Sequence, residues 1–174
     1  MNEKDRVFTT NYAKKTILNL GCGDQGFGTH RVDILETATS THVFDVENGL
    51  PFSDGFFDEV YERNLLEHIR NVSLHLGYIY RVLKVGGYIT IITDYAGCMR
   101  YYKLGTHEGR YEKVRKNNLL DRHYSIFTKN HLKNHLSYVG FKEIKIEFIH
   151  TTYPTRWIDK LMGVYPRLKA EAMK

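Results

Sequence analysis

The sequence predicts an α/β protein with a mostly parallel sheet under helical cover. Short apolar runs of strand length recur along the chain, and several of them close on a polar residue. A long segment of helical periodicity lies between the fourth and fifth of these runs. The length of 174 residues suits one domain and is too short for a full barrel of eight βα units, which takes ~250 residues.

The elements follow in order. Residues 16–20 are an apolar run ended by Gly21-Cys22-Gly23, the pattern of a buried strand entering a glycine turn. Residues 30–34 and 41–45 are two further strand candidates, with Asp33 and Asp45 at or near their ends. Leu50-Pro51-Phe52 and Ser53-Asp54-Gly55 carry turn chemistry, and residues 56–61 form a fourth strand candidate. From 64 to 83 the apolar positions Leu65, Leu66, Ile69, Val72, Leu76 and Ile79 keep helical spacing, with a break near Asn71.

Val85-Gly86-Gly87 has the residue types that end a helix, and the β-branched run 88–93 reads as a central strand closing at Asp94. Residues 95–125 read as an insertion, part loop and part helix. Residues 128–138 form a second helix, opened by Thr128 as N-cap and stopped by Gly140. Residues 141–149 alternate as a half-exposed strand, the sixth. The tail from 151 is expected to be helical after Pro154, with Trp157, Ile158, Leu161 and Met162 on one face.

Composition excludes several classes. A hydrophobic share of 42% and a charged share of 26% rule out a disordered chain. Two cysteines, Cys22 and Cys98, make no disulfide framework, and no Cys/His cluster has the spacing of a metal site. No metal is therefore expected. No apolar run approaches the ~20 residues of a membrane span, and residues 1–16 show no apolar signal region, so a cytoplasmic location is the default expectation.

Charge is uneven along the chain. Residues 1–87 hold 9 Lys+Arg against 12 Asp+Glu, whereas residues 88–174 hold 16 against 8. The stretch 100–145 is the most basic, with 11 against 4. Such a stretch suits an anionic partner, and equally a solvated helical surface.

In an open parallel sheet, ligands bind outside the carboxyl ends of the strands. The polar residues expected there are Asn19, Asp24, Asp33 and Asp45 on the first three strands. Asn64, Glu67, His68 and Asp94 follow on the next two. Gly21-Cys22-Gly23 lacks the full G-x-G-x-x-G of a dinucleotide fold, and the Gly-Lys-Ser/Thr of a P-loop is also missing.

Five features in series carry more information than the glycine turn alone. Leu18-Asn19-Leu20-Gly21-Cys22-Gly23 is followed by Val32-Asp33 and by Asp45 with Leu50-Pro51-Phe52. Phe56-Phe57-Asp58-Glu59-Val60 leads into Leu65-Leu66-Glu67-His68-Ile69, and Tyr80-Arg81-Val82-Leu83-Lys84-Val85-Gly86-Gly87-Tyr88 closes the series. This order resembles the class I S-adenosylmethionine-dependent methyltransferases, particularly the methyltransferase-11 type. The resemblance is dense over 16–94 and loose over 132–141.

The resemblance implies a Rossmann-like sheet in shortened form, with six strands. Few residues separate Gly23 from Val32, so the first crossover helix is expected to be truncated. The whole chain, 1–174, reads as one methyltransferase domain, with 16–94 as the cofactor half. The remainder, 95–174, is the acceptor-side insertion with the last helices and strand.

It also implies S-adenosyl-L-methionine as cofactor. Gly21, Cys22 and Gly23 match the loop beside the methionine part, and Asp33 matches the acceptor for the ribose hydroxyls. Ile34 would flank the adenine, Asp45 and Val46 would contact its amino group and edge, and Asn64 would lie near the methionine amine. Asn19 stands where an acidic residue is common, and Gln25 where a third glycine is common. Gly86-Gly87 is read as a structural turn.

The implied chemistry is transfer of a sulfonium-bound methyl, for which the protein aligns the acceptor atom and excludes water. His68 and His123 are the candidate catalytic residues, as a general base for a hydroxyl acceptor or as local packing groups. His107, His131 and His135 read as solvated residues. Tyr95, Tyr101, Tyr102, Tyr111 and Tyr124, interleaved with Arg100, Lys103, Arg110, Arg115 and Lys116, suggest an acceptor pocket. Three readings stay open: a methyltransferase for a small anionic or glycosylated acceptor, an RNA or protein methyltransferase, and an inactive cofactor-binding interaction protein. Nothing in the residues fixes an oligomeric state.

Overall fold

The computed structural model describes residues 15–97, 123–150 and 166–174. Seven strands share one sheet in the order β3-β2-β1-β4-β5-β7-β6. They are β1 Ile17–Leu20, β2 His30–Asp33, β3 His42–Val43, β4 Phe57–Arg63, β5 Leu83–Asp94, β6 Lys142–His150 and β7 Pro166–Met173. Strands β1 to β5 pair parallel, and β7 runs antiparallel between β5 and β6.

The strand count corrects the expectation of six. The extra strand, β7, comes from the tail read as helical. Its Leu168, Ala170 and Ala172 are buried and alternate with Arg167, Lys169 and Glu171. Two of the three inward positions are alanine, a residue depleted in strands, so the period-two signal was weak. Trp157, Ile158, Leu161 and Met162, and most of the Tyr/Arg stretch, lie outside the described residues.

Among the described residues, two helices, α1 Val72–Val82 and α2 Lys129–Val139, cover one face of the sheet. The break expected near Asn71 is present. A 3-10 turn, Leu66–His68, is followed by Asn71, whose side chain caps α1 by accepting from the Leu74 N–H at 3.2 Å. In α2, Thr128 Oγ1 accepts from the His131 N–H at 3.1 Å and Gly140 closes the helix.

The other end of α1 differs from expectation. The helix stops at Val82, and Leu83 passes directly into β5, so Val85-Gly86-Gly87 lies inside the strand rather than at a helix cap. The β4–β5 register steps from Phe57–Leu83 to Glu59–Tyr88, and the glycine pair is the bulge that absorbs the extra residues.

The core sits between this sheet face and the two helices. Leu18, Val60, Ile89 and Ala172 form one rung across β1, β4, β5 and β7. Leu20, Glu62, Ile91 and Ala170 form the next. Leu76 and Ile79 of α1 and Leu132 and Leu136 of α2 are fully buried against this face. As expected, residues 21–29 between β1 and β2 hold no helix. The carboxyl end of β1 therefore runs into a loop where a first-crossover helix would otherwise start.

Candidate functional site

The site has a side made of loops and a side made of strand ends. On the loop side, the chain leaves β1 through Gly21 and Gly23, both in the left-handed region at φ 63° and 48°. Only glycine enters that region without strain. A Cβ at Gly21 would come within 3.2 Å of the Leu65 side chain, whereas one at Gly23 would meet nothing within 4 Å among the described residues. The loop thus packs tightly at its base and faces open space at its tip.

Asp33, at the end of β2, fixes that loop. Its Oδ2 accepts from the Gly23 N–H at 2.8 Å and its Oδ1 from the Leu35 N–H at 3.2 Å. An ionised carboxylate has about four acceptor positions, so the pair of oxygens retains capacity for two further donors. Thr39 Oγ1 and Thr37 Oγ1 donate to the Gly23 carbonyl at 2.7 and 2.9 Å, which clamps the loop from the β2–β3 connection.

The remaining residues of the loop side fall into distinct places. Asp45 caps the 3-10 turn Val46–Asn48, its Oδ1 accepting from the Glu47 N–H at 2.9 Å. Val46 is buried in the core cluster. Cys22 is fully buried, with its Sγ 3.9 Å from Thr39 Oγ1, and offers the loop backbone alone. Ile34 is exposed.

Asn19 is fully buried near the end of β1. Its Nδ2 donates to the Phe27 carbonyl at 3.3 Å, and its Oδ1 has no partner among the described residues. A buried acceptor without a donor costs free energy until one is supplied.

On the other side, β4 ends at Arg63 and is followed by Asn64, a non-glycine residue at φ 56°. Its Oδ1 accepts from Arg167 at the start of β7. Arg167 lies directly opposite Asp94 in the β5–β7 register, with Nε 3.4 Å from Asp94 Oδ1. Because β7 is antiparallel, its first residues reach the same sheet end as the last residues of β5. Arg167 was missed in the sequence because the alternation that carries it was weak.

Glu67 is 2% exposed, and Thr93 Oγ1 donates to its Oε2 at 2.8 Å. Burial, and then the charge of Asp94, push the Glu67 carboxyl up to about 7. The Glu67 carbonyl accepts from the N–H groups of Tyr124 and Ser125, which pins the segment before α2 onto the turn. This brings His123 to His68, ring edge to ring face with centroids 4.6 Å apart. His123 Nδ1 lies 3.9 Å from Asp94 Oδ2. The two predicted histidines therefore stand together, with Glu67, Asp94 and Arg167 around them.

Beneath this side, Glu62 and His75 pair at 2.8 Å with both side chains 1% exposed. Glu62 Oε1 and His75 Nδ1 have no partner among the described residues. The pair ties β4 to α1 below the turn that carries Glu67 and His68.

The acceptor set suits a ligand with an ammonium group and a diol. The orphaned Asn19 Oδ1 calls for a donor such as an amine, Asp33 has room for two hydroxyl donors, and the tip at Gly23 leaves space for close approach. These are the polar groups of S-adenosylmethionine.

Comparison with known proteins agrees. The methyltransferase domain family matches residues 24–91. No protein of curated description matches the chain. A solved S-adenosylmethionine-dependent methyltransferase of Thermotoga maritima, described as a possible histamine N-methyltransferase, superposes with a TM-score of 0.64. It is 16% identical, over 92% of this chain and 83% of that one.

Phosphoethanolamine N-methyltransferase 2 of Haemonchus contortus, solved with S-adenosyl-L-methionine, gives 0.67 at 19% identity, over 92% of this chain. The chain spans 48% of that protein. A Haloferax volcanii putative methyltransferase in complex with the Trm112 methyltransferase activator gives 0.61 at 16% identity, over 91% and 82% of the two chains. Among the described residues, no helix is long and apolar enough to cross a membrane.

Proposed function

We propose, for a chain that by family match and fold is a class I S-adenosylmethionine-dependent methyltransferase, that it methylates a small anionic or glycosylated acceptor held beside His68, His123 and Arg167. The observation that carries the reading is the Asp33 carboxylate bound to the Gly23 N–H at the tip of an open glycine loop. When bound, the cofactor supplies a methyl group already activated on a sulfonium.

The residues have separate tasks. Asp33 accepts from the ribose hydroxyls, Asp45 and the Val46 backbone meet the adenine, and Ile34 flanks it. Gly21, Cys22 and Gly23 give their backbone to the methionine part, and Asn19 Oδ1 accepts from its amine. Asn64 lies near the methionine amine, and its Oδ1, accepting from Arg167, links that place to the acceptor side.

On the acceptor side, Arg167 offers guanidinium N–H donors toward an anionic group. His68 or His123 takes the proton of a hydroxyl acceptor. The Haemonchus contortus enzyme has also been solved with phosphomonomethylethanolamine and S-adenosylhomocysteine, and a phosphate-bearing acceptor of that kind fits an arginine at this place.

Calorimetry with S-adenosylhomocysteine tests the reading. The unmutated protein is expected to bind it saturably. Asp33→Ala is expected to bind roughly 100-fold more weakly, the loss of two charge-assisted hydrogen bonds of ~1.5 kcal/mol each. Absence of binding by the unmutated protein would overturn the assignment. Methyl transfer to a phosphorylated amine or sugar phosphate tests the acceptor class. Binding of RNA that weakens steeply with salt would point to the nucleic-acid reading instead.

A further inference from the structure

We propose that Glu67, His68 and His123 form a binding site for a divalent transition-metal ion on the acceptor side of the cleft. Each of the three offers one ligand atom, and these atoms all lie within 4.8 Å of one another. They come from two stretches of chain more than fifty residues apart, joined by the hydrogen bonds from Tyr124 and Ser125 to the Glu67 carbonyl.

The surroundings have the organisation of a metal site. Ligating histidines are commonly oriented by a carboxylate behind them, and ligating carboxylates by a hydrogen bond. Asp94 stands 3.9 Å from Nδ1 of His123, and Thr93 Oγ1 holds Oε2 of Glu67 at 2.8 Å. A histidine oriented through Nδ1 ligates through Nε2.

Two imidazoles and one carboxylate select zinc, cobalt, iron or manganese over magnesium and calcium, which prefer oxygen ligands throughout. Three protein ligands leave a coordination position for substrate, as in catalytic zinc sites. A cation ~2.1 Å from each ligand needs them roughly 3.4 Å apart, so a pair at the outer limit of 4.8 Å closes by at most ~1.4 Å on loading.

The role of the ion rests on the methyltransferase reading. An acceptor hydroxyl bound to the cation loses its proton to water more readily, so the cation takes over the task given above to an imidazole. The acceptor oxygen then forms a bond to the methyl carbon as the carbon–sulfur bond breaks with its electron pair passing to sulfur. The products are the methyl ether, the neutral thioether and the released proton.

The test is Co²⁺ and Zn²⁺ binding to the full chain stripped with a chelator, read by calorimetry and by the visible bands of bound cobalt. About one equivalent is expected, with Mg²⁺ unable to displace it. His68→Gln and His123→Gln, each checked for an unchanged circular dichroism spectrum, are expected to weaken binding at least tenfold. His131→Gln serves as control, because His131 and His135 form a separate pair on α2 with Nε2 atoms 3.1 Å apart.

No stoichiometric binding, or binding that survives both His68→Gln and His123→Gln, would overturn the proposal. S-adenosylhomocysteine titrated into the same stripped protein separates the two readings. Its binding without cobalt binding removes the metal site and keeps the methyltransferase. Cobalt binding without it keeps the site and removes the role assigned to the ion.

Discussion

Between Gly21 and Asn48 the cleft is held by hydrogen bonds that reach across short stretches of chain. Asp33 bonds to Gly23 and Leu35, Thr37 and Thr39 bond to Gly23, and Asp45 bonds to Glu47. Beyond β4 the arrangement is different. Glu67 meets Thr93, His68 meets His123, and Asn64 and Asp94 both meet Arg167, each across tens of residues or more. The loop side can be altered without unfolding the sheet, whereas the strand-end side depends on the packing of β4, β5, β7 and α1. On the proposed reading the first side holds the cofactor and the second the acceptor.

The largest effect is expected where the strand-end side is anchored. His75→Leu leaves the Glu62 carboxylate buried without its partner, at a cost of about 3–5 kcal/mol in urea unfolding. The double variant Glu62→Leu with His75→Leu is expected to regain most of that, since the pair already leaves Glu62 Oε1 and His75 Nδ1 unsatisfied. A double variant as unstable as the single would show that the pair supports the fold in itself.

Gly23→Ala sharpens the contrast from the loop side. Its Cβ meets no atom of the described residues within 4 Å, so unfolding should register mainly the left-handed strain, about 1–2 kcal/mol. Affinity for S-adenosylhomocysteine should fall by roughly tenfold, about 1.4 kcal/mol, because the added carbon enters the space proposed for the ligand. Unchanged affinity would mean that the tip of this loop is not in contact with the cofactor.

Asn71→Ala removes the cap of α1 and should cost about 1 kcal/mol in thermal or urea unfolding, with cofactor affinity unaltered. The smallest effect concerns Asp58, which accepts from the Thr16 N–H at 2.8 Å and pairs with Lys84 at 2.7 Å. Lys84, and then Thr16, hold its carboxyl well below the usual carboxylate range.

A depressed carboxyl stabilises the fold above its unfolded value of ~4 and loses that contribution as pH falls through its folded value. Asp58→Asn should therefore cost at most about 1 kcal/mol at pH 7, the scale of a solvent-screened pair. The gap to the unmutated protein should close progressively as acid is added below ~pH 4. A gap that widens in acid would contradict the assignment.

The same division explains what could be read from the residues. Gly21-Cys22-Gly23, Asp33 and Asp45 were legible because each lies at the end of a short apolar run, and their contacts are local. The missing first-crossover helix was legible from the short spacing between Gly23 and Val32. The break at Asn71 was legible for a similar reason, since a cap announces itself by residue type.

Arg167 was not, because β7 is marked by Leu168 and two alanines, and nothing local tells that it inserts between β5 and β6. The pairing of Glu62 with His75 was hidden as well, since it exists only once α1 has docked on β4. His68 and His123 were each noticed, but their edge-to-face contact follows from the docking of Tyr124 and Ser125 on Glu67, a backbone contact with no residue-type signature. Glycine in Val85-Gly86-Gly87 was read as a helix stop because its residue types serve a cap and a bulge equally well.

A crystal structure of the full chain with S-adenosylhomocysteine bound tests the central claim most directly. The account predicts ribose hydroxyls on the Asp33 carboxylate, the amine within hydrogen-bond distance of Asn19 Oδ1, and the sulfur directed toward His68 and His123. A ligand bound with Asp33 still making only its contacts to Gly23 and Leu35, or with its sulfur turned away from the two histidines, would contradict it.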